Sequence, residues 1–456
     1  MPGSDARMRP TRARWLGLIA CASVALRVGA ALYLGNDVTV KPGTADQLSY
    51  HLLALRVLGG HGFSFETGWW PATAAGEPTA HWSYLYVLFL AGIYAAVGST
   101  PLVARIIQAI AVGMLQPLLT YAIARRMFGS RVGLISAAIV AGYAYFIYYA
   151  GALMTESFFI VALLWSLHVA MRLGSAEESR AGAEGPKLWL TLGLALATTV
   201  LLRQAILVCI PVILLWVGWR RVATGGDSAL GRARIAPLLR GMGLTVLVVA
   251  VSILPWTIRN YRAFHQLVLL NTNAGFAFYW GNHPIHGVNF VPILPGDGSL
   301  YGRLLPDDLR ALNEAQMDRE LLRRGLGFVV QDPGRYALLS VSRVREYVKF
   351  WPSSDSDRLS NVARVISFGL CLPFMLTGMA LVVREQWSRF AGGEIWLVLS
   401  VALVYSLAHV LTWTLVRYRL PVDAILLPLA ALTMVHLFDQ RASRARAVRD
   451  NVLVAG

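Results

Sequence analysis

The chain has little charge. Only 14% of its 456 residues are Asp, Glu, Lys or Arg, whereas 56% are hydrophobic and the mean hydropathy is +0.55. A soluble domain carries about 25% charged residues, so the composition excludes that class and indicates an integral membrane protein. The net charge of +16 comes from basic residues between apolar runs, which is typical of cytoplasmic loops. We therefore expect membrane lipids as partners and no nucleic acid.

Cysteine and the common catalytic motifs are also scarce. The three cysteines, Cys21, Cys209 and Cys371, lie far apart inside apolar runs, which disfavours a disulfide framework or a cysteine metal site. No P-loop, GxSxG, HExxH or dinucleotide-binding motif occurs in a suitable context, so a cytosolic nucleotide-driven mechanism has no support. No internal repeat of fixed period is visible, which disfavours an inverted-repeat transporter.

Long apolar runs dominate the sequence instead. The basic stretch before the first run, without a small-residue cleavage site after it, predicts a retained anchor rather than a signal peptide. The run 188–219 is interrupted by Arg203-Gln204 and predicts a helical hairpin. With that hairpin, about ten transmembrane helices are expected to cross ~30 Å of hydrocarbon. The other runs are 15–34, 101–122, 132–153, 156–173, 236–257, 361–384, 394–413 and 419–438.

The apolar segment 81–98 decides the orientation of the chain. If this segment stays on the outer face, every large basic cluster falls on the cytoplasmic side, as the positive-inside rule requires. If it crosses, most of those clusters move outside. The segment therefore predicts a juxtamembrane or re-entrant helix on the outer face. The clusters are 124–131, 172–187, 220–240, 384–389 and the tail 441–449.

This orientation divides the chain into three parts. Residues 1–257 form an N-terminal transmembrane module that includes a long outer loop, 35–100. Residues 258–359 form an extracytoplasmic, soluble-like loop region, and residues 360–456 contain the C-terminal transmembrane helices and a basic cytoplasmic tail. The predicted fold class is an all-α polytopic membrane protein with juxtamembrane helices in the first outer loop.

Asp46 is the candidate catalytic residue of the outer loop. It precedes a helical pattern in the stretch TADQLSYHLLALRVL. A carboxylate at the outer membrane surface can act as a general base, because it accepts the proton of a hydroxyl that attacks another centre. The alternative is structural, since Asp is also a good N-cap for the helix that follows.

Five arginines at the outer ends of predicted spans run against the positive-inside bias: Arg203, Arg259, Arg262, Arg417 and Arg419. Guanidinium groups bind phosphate through paired hydrogen bonds and stay charged at any relevant pH. These arginines therefore indicate a phospholipid-like substrate whose phosphate lies at the outer interface. The alternative is that each arginine extends to lipid head groups.

Two further patterns have both a structural and a functional interpretation. Glu156 opens a span from the outer side, where the helix dipole favours a carboxylate; alternatively it orients a sugar hydroxyl, a cation or an arginine. His283 and His286 have the spacing of metal ligands, but the proline between them favours a loop histidine pair over a zinc site. The sequence thus assigns no ligand to a divalent metal, which stays a possible cofactor.

Taken in order, these elements resemble a known superfamily. The pattern includes Asp46, Tyr50, Gly60-His61-Gly62-Phe63, EPTAHWSYLYVLFLAGIYAAVG, Ala104-Arg105, ARRMFGS, MTESFFI, PWTIRNYRAF, GNHP and RYRLP. It resembles the polyprenyl-phosphate-sugar-dependent glycosyltransferases of the C-type superfamily. Within them it is most similar to the protein O-mannosyltransferase-like branch (glycosyltransferase family thirty-nine) and its lipid A aminoarabinose transferase relatives. The resemblance covers nearly the whole chain.

The resemblance implies a helical membrane fold whose long first outer loop carries the catalytic acid, here Asp46. Relatives often have Glu after this acid, and Gln47 replaces it here. His81 lies at the approach to the donor, where Trp82-Ser83 replaces the prolines of relatives. The other residues that the resemblance assigns to substrate binding are Glu156, Arg259, Arg417, Tyr418 and Arg419.

The expected function is therefore that of a membrane hexosyl- or pentosyltransferase. It moves a sugar from a polyprenyl-monophosphate donor to a hydroxyl of a glycan, lipid or protein acceptor. The transfer takes place on the extracytoplasmic face of a bacterial inner membrane and inverts the anomeric centre. One alternative is a polyprenyl-linked glycan transporter or flippase, in which Asp46 and Glu156 are helix caps or coupling groups. Another is an O-antigen ligase- or polymerase-like enzyme with a diphosphate donor.

Overall fold

The structure, a computed structural model, describes residues 3–41, 43–175, 186–223, 228–294, 299–354, 356–390 and 393–455. In these residues the regular secondary structure is helical, apart from two isolated β-bridges, Ser64–Pro78 and Trp69–Thr73, in the first outer loop. The predicted all-α class is confirmed.

Ten α-helices lie in the first part of the described chain. A short 3₁₀ turn, Gln204–Cys209, precedes the ninth of them. The helices are α1 Gly3–Leu34, α2 Asp46–Leu58, α3 Tyr84–Val97, α4 Pro101–Phe128, α5 Ser130–Gly142, α6 Ala144–Gly151, α7 Glu156–Leu173, α8 Pro186–Leu202, α9 Ile210–Ala223 and α10 Ser228–Phe264.

Eight more α-helices follow in the rest of the described chain. A π-helical turn, Val365–Gly369, joins two of them, and the 3₁₀ turn Val416–Arg419 precedes the last. Shorter 3₁₀ turns occur at Pro284–His286 and Asp307–Leu309. The helices are α11 Ala274–Asn282, α12 Ser299–Arg303, α13 Glu314–Gln331, α14 Pro333–Tyr347, α15 Arg358–Arg364, α16 Leu370–Phe390, α17 Glu394–Val410 and α18 Leu420–Ala455.

Seven helical segments of the described chain are long and apolar enough to cross a membrane, and the pair α5 and α6, bent by 54°, makes an eighth if it forms one span. The shorter apolar helices α8 and α17 account for the other two predicted spans. The predicted hairpin over 188–219 does break at Arg203, between α8 and the turn before α9. Each predicted span thus coincides with an apolar helix. The number of helices that cross the membrane depends on whether α8 and α17 do so.

Helix α3 corresponds to the segment that decides the orientation. Its 14 residues extend about 21 Å at 1.5 Å per residue, which is short of the ~30 Å of hydrocarbon. It packs against α2, and Ser83 accepts from the Tyr86 N–H and donates to the carbonyl of Leu201 at the end of α8. These features favour the predicted juxtamembrane position.

A fully buried arginine, Arg27, lies in the middle of the first span. It donates to Ser23 Oγ (2.6 Å), to Gln116 Oε1 (3.0 Å) and to the carbonyls of Val140 (3.1 Å) and Ala141 (3.2 Å). A charge at this depth is costly unless it is fully hydrogen-bonded. Because two of its acceptors are the last carbonyls of α5, Arg27 also stabilises the bend between α5 and α6.

The basic residues at the end of α4 and the start of α5 lie at one end of the helix bundle, beside α17 and α18. Arg131, at the start of α5, lies 2.7 Å from Asp439 of α18, and Arg126, at the end of α4, lies 3.3 Å from Glu394 of α17. The ends of four helices therefore meet beside the basic tail of α18. The first residues of α2 and α7 meet at the other end, as described below.

The first outer loop and the region 258–359 are joined through Glu314, the first residue of α13. Its buried carboxylate accepts hydrogen bonds from Thr73 Oγ1 (2.7 Å), from the Ala80 N–H (2.8 Å) and from the Thr272 hydroxyl. A carboxylate that leaves water must be hydrogen-bonded. Glu314 therefore fixes the loop that follows α2 against the outer region.

The outer region is not soluble-like throughout, because α14 runs along α17. The Tyr336 hydroxyl donates to the carbonyl of Leu411 (3.1 Å), and Ser406 Oγ donates to the Tyr347 hydroxyl (3.2 Å) at the other end of α14. The free face of α14 carries an apolar stripe, whose members Leu338, Val341 and Val344 are 57%, 67% and 45% exposed. Such a stripe beside a membrane helix is typical of an interfacial helix.

The separation of the two ends leads to a prediction about membrane sides. In a cysteine-free background, Asp307→Cys is expected to react with an impermeant maleimide in intact cells, because its side chain is 95% exposed in the outer region. Gln440→Cys, exposed at the basic end, is the control and should react only after the cells are opened. The reverse labelling pattern would contradict the orientation derived from the positive-inside rule.

Candidate active site

Asp46 is the first residue of α2, and its carboxylate lies 2.6 Å from Nη2 of Arg417. The residue before it, Ala45, occupies the N-cap position, and no side chain caps this helix. The side chain of Asp46 is 24% exposed. In this structure it is therefore an ion-pair partner at the edge of solvent rather than a helix cap.

Arg417 lies between two acids. It comes from the 3₁₀ turn before α18, its Nε is 3.6 Å from Glu156 Oε1, and its Nη1 donates to the carbonyl of Gly43 (3.2 Å). Only 12% of its side chain is exposed. One guanidinium thus ties the loop before α2 and the starts of α2 and α7 to the start of α18.

Glu156 is the first residue of α7 and is 1% exposed. Glu156 Oε1 forms an ion pair with Arg203, and Arg203 Nε donates to Thr155 Oγ1 (3.1 Å). Glu156 Oε2 is buried without a hydrogen-bond partner among the described residues. The positive end of the α7 dipole adds to the stabilisation of this carboxylate. Four charges of alternating sign, Asp46, Arg417, Glu156 and Arg203, form what we call the charge chain.

Arg105 of α4 supports the charge chain from behind. It is fully buried, donates from both Nη atoms to Gln47 Oε1 (3.2 Å each), and donates to the carbonyls of Gly151 (2.7 Å) and Asp37 (3.2 Å). Gln47 adjoins Asp46, and Gly151 ends α6 shortly before Glu156. The amide oxygen of Gln47, next to Asp46, is therefore an acceptor that holds Arg105.

The three residues of the RYR element lie in different surroundings. Tyr418 stacks on His409 with ring centroids 4.7 Å apart, and the Arg203 guanidinium lies 5.3 Å from its ring, so Tyr418 borders the charge chain. Arg419 is buried, lies 3.0 Å from Asp423 Oδ1 and donates to the carbonyl of Tyr347 (2.6 Å). Its guanidinium is thus engaged away from Asp46, unlike that of Arg417.

Arg259 and His81 lie in the outer loops next to the site. Arg259 donates to the carbonyls of Thr79 (2.8 Å) and Phe63 (3.2 Å), so it holds the first outer loop against α10. His81 Nδ1 is 3.3 Å from the carbonyl of Thr272, which can only accept, so Nδ1 carries the proton. Burial lowers the pKa of His81, against the opposing charges of Glu314 and Asp46.

The residues at the site do not fit a divalent metal. The described part of the chain holds no group of three His, Cys, Asp or Glu side chains arranged for an ion, and Arg417 already pairs with Asp46 and Glu156. The His283 and His286 pair has other contacts: His286 bonds the Trp280 carbonyl through Nε2 (2.9 Å) and accepts from the Val291 N–H through Nδ1 (3.4 Å).

Two residues of this arrangement have signals in the sequence that are easy to overlook. Arg105 is a charged residue inside the predicted span 101–122, and such residues mark functional or structural centres in membranes. Arg203 interrupts the run 188–219, which indicates a tip at the outer face but not its pairing with Glu156. The partner of each arginine follows only from how the helices pack.

Comparison with known proteins gives a family match over part of the chain. Residues 83–256 match the family model described as dolichyl-phosphate-mannose-protein mannosyltransferase. This segment contains Arg105, Glu156 and Arg203, whereas Asp46 and Arg417 lie outside it. No curated protein sequence matches the chain significantly.

Solved structures of an archaeal oligosaccharyltransferase, AglB from Archaeoglobus fulgidus, share the fold. The complex with an inhibitory peptide and a dolichol-phosphate is 20% identical, with a TM-score of 0.58 over 96% of this chain and 52% of that one. The complex with zinc and sulfate is 17% identical, with a TM-score of 0.57 over 97% and 51%. The chain thus spans about half the length of these proteins.

ArnT from Cupriavidus metallidurans bound to undecaprenyl phosphate is also similar, at 15% identity over 92% of this chain and 77% of that one. Its TM-score of 0.39 is too low to establish a common fold, so the fold assignment rests on the archaeal enzyme. The resemblance drawn from the sequence is confirmed: residues 83–256 match a mannosyltransferase family model, and the chain shares the helical fold of an archaeal oligosaccharyltransferase.

Proposed function

We propose that this protein is a glycosyltransferase of the bacterial inner membrane. It transfers a hexosyl or pentosyl group from a polyprenyl-monophosphate donor to an acceptor hydroxyl on the extracytoplasmic face. The observation that carries the proposal is the contact of Asp46 with Arg417 at the end of the bundle opposite the basic clusters. The dolichol-phosphate in the archaeal structure of the same fold supports a lipid-phosphate donor.

The proposed reaction is a single displacement. The acceptor oxygen forms a bond to the anomeric carbon while the bond from that carbon to the phosphate oxygen breaks, so the configuration inverts. The electron pair leaves with the lipid phosphate, whose charge Arg417 stabilises. The acceptor proton goes to the carboxylate of Asp46. Because the leaving phosphate is already acidic, the reaction needs one general base and no general acid.

Because Asp46 is paired with Arg417, binding of the donor phosphate to Arg417 frees the carboxylate to act as the base. A donor phosphate that binds Arg417 competes with Asp46 for the same guanidinium. Glu156 keeps its contact with Arg417 from the buried side, so the arginine stays in place while Asp46 is released. The base then becomes available when the donor is bound. Arg419, which is paired with Asp423, has no part in this exchange.

The transporter alternative needs a titratable coupling group within the helix bundle. Arg27 does not supply one, because it is held by a serine, a glutamine and two carbonyls, and the buried carboxylate of Asp423 is already paired with Arg419 (3.0 Å). A diphosphate donor, as in ligase-like enzymes, is distinguished by offering monophosphate- and diphosphate-linked sugars to the same purified protein.

The first test replaces the base. Asp46→Asn keeps the size of the side chain and still accepts from Arg417, but it cannot take a proton. Turnover of a radiolabelled polyprenyl-monophosphate sugar should fall by about 10²-fold or more, with donor binding retained. Asp37→Asn, an exposed residue of the same loop, is the matched control and should keep its activity. Near-normal turnover of Asp46→Asn would remove Asp46 from the mechanism.

The second test concerns the phosphate ligand. Arg417→Lys keeps the charge but loses the planar fork that holds phosphate through two bonds, so the donor KM should rise about tenfold or more, the equivalent of one strong hydrogen bond. Arg262→Lys, exposed at the outer end of α10, makes the same change outside the site and should leave the donor KM unchanged. An unaltered donor KM in Arg417→Lys would mean that this arginine does not bind the donor.

The third test concerns Glu156 as the residue that holds both arginines. Glu156→Gln leaves Arg203 and Arg417 without their buried counter-charge, and loss of one partner of a buried pair costs about 3–5 kcal/mol. The unfolding temperature, followed by tryptophan fluorescence, should fall markedly. Asp307→Asn, which is 95% exposed and whose partner Arg310 is 53% exposed, should change stability by less than about 1 kcal/mol. Equal stability of the two variants would show that Glu156 has no such role.

A further inference from the structure

Five aromatic rings form a continuous series of contacts next to the charge chain, which we call the aromatic arc. The centroid distances are 5.5 Å from Tyr50 to Trp82, 6.3 Å from Trp82 to Trp70, 5.5 Å from Trp70 to Trp280 and 6.3 Å from Trp280 to Trp413. Trp70 and Trp280 are stacked, and the contacts at the two ends of the arc are edge-to-face. Aromatic side chains in such contacts form a stable wall.

One end of the arc lies beside the proposed base. Tyr50 is four residues after Asp46 on α2, so the two share one helix face, and the charge of Asp46 acts on the Tyr50 hydroxyl. The middle of the arc comes from the two outer regions that Glu314 joins. Trp70, in that middle part, is 41% exposed although its neighbour Trp280 is 1% exposed. A large indole of the arc thus stays open to solvent.

Two polar groups, one in the arc and one in the neighbouring His81, have no hydrogen-bond partner among the described residues. The indole N–H of Trp82 is buried without a hydrogen-bond partner among the described residues, although the side chain is only 6% exposed. His81, whose ring contacts Trp70 and Trp82 at 5.2 Å and 5.1 Å, uses Nδ1 on the Thr272 carbonyl. Its Nε2 is then left with a lone pair. One unpaired donor and one unpaired acceptor therefore lie in and beside the arc.

We propose that the aromatic arc is the acceptor subsite and that its ligand is a saccharide. This inference rests on the proposed function, since it names the acceptor of that reaction. A sugar ring has apolar C–H faces, whose burial against Trp70 is favourable, and hydroxyls at its edge that pair with His81 Nε2 and the Trp82 N–H. The arc lies next to Asp46, so one hydroxyl of a bound sugar reaches the base.

A saccharide fits these features better than a peptide does. Peptide acceptors are commonly held through their main chain, by an exposed strand edge or by a groove for a helix. The described residues around the arc form loops and helices, with only isolated bridges in the first outer loop. Flat rings with a few directed polar groups instead match a flat, hydroxyl-bearing ligand.

Binding of small saccharides to the full-length protein tests the inference without transfer. The protein is placed in phosphatidylcholine nanodiscs, which carry no sugar. Saturation-transfer NMR is then recorded with mannobiose, arabinobiose and galactobiose, and with a Ser/Thr-rich decapeptide. We expect at least one disaccharide to bind, and Trp70→Ala to weaken it at least tenfold. Trp219→Ala, of similar exposure (49%) near the basic end, should bind as the wild type does.

Each outcome of this experiment decides something. Binding that persists in both Trp70→Ala and Trp70→Leu overturns the inference, as does the absence of binding by all three disaccharides. Trp70-dependent binding of the decapeptide alone makes the arc a peptide site. Because the readout needs no donor, normal turnover in Asp46→Asn together with Trp70-dependent saccharide binding would overturn the proposed mechanism and leave the subsite standing.

Discussion

The structure depends on the need to pair charges that lie at the ends of apolar helices. Asp46, Arg417, Glu156 and Arg203 alternate in sign, and each comes from the end or the start of a different helical segment. An isolated charge in such a place costs several kcal/mol, so a member that moves away leaves its neighbour without a counter-charge. The charge chain therefore fixes the mutual position of α2, α7, α8 and α18, and with them the proposed place of the acceptor hydroxyl and the donor phosphate.

Much of this fold can be predicted from the sequence, because a membrane reduces the choices. Apolar length predicts the helices, and the side of the basic clusters predicts which helix ends share a face. The same reasoning separates Asp46 from the basic residues and places it with the outer arginines. Interior arginines are harder to interpret. Arg27 and Arg105 donate to backbone carbonyls and side-chain amides. Neither these acceptors nor the helix bends that expose the carbonyls can be predicted from the sequence.

The pairing of individual arginines cannot be predicted in this way. Arg417 and Arg419 are two residues apart in one short turn, yet one reaches Asp46 and the other reaches Asp423 within α18. In a 3₁₀ turn, side chains two residues apart point about 120° apart around the axis, so the two arginines of one motif have different surroundings. Sequence alone assigns both to the donor phosphate, whereas the structure brings only Arg417 to the carboxylates.

The connection between the outer regions gives the site its second half. Glu314 accepts from residues on both sides of the first outer loop and from Thr272, and this buried link brings Trp70 against Trp280. Arg259 holds the same loop through the carbonyls of Thr79 and Phe63, and Asn271 donates to the carbonyls of Ala80 and Trp82 (2.9 Å each). Asp46 therefore lies between two walls of different chemistry: a charged one built by membrane helices, which suits a phosphate, and an aromatic one built by outer loops, which suits a neutral ring. The proposed displacement uses this division, because the acceptor oxygen and the leaving phosphate lie on opposite sides of the anomeric carbon of the donor.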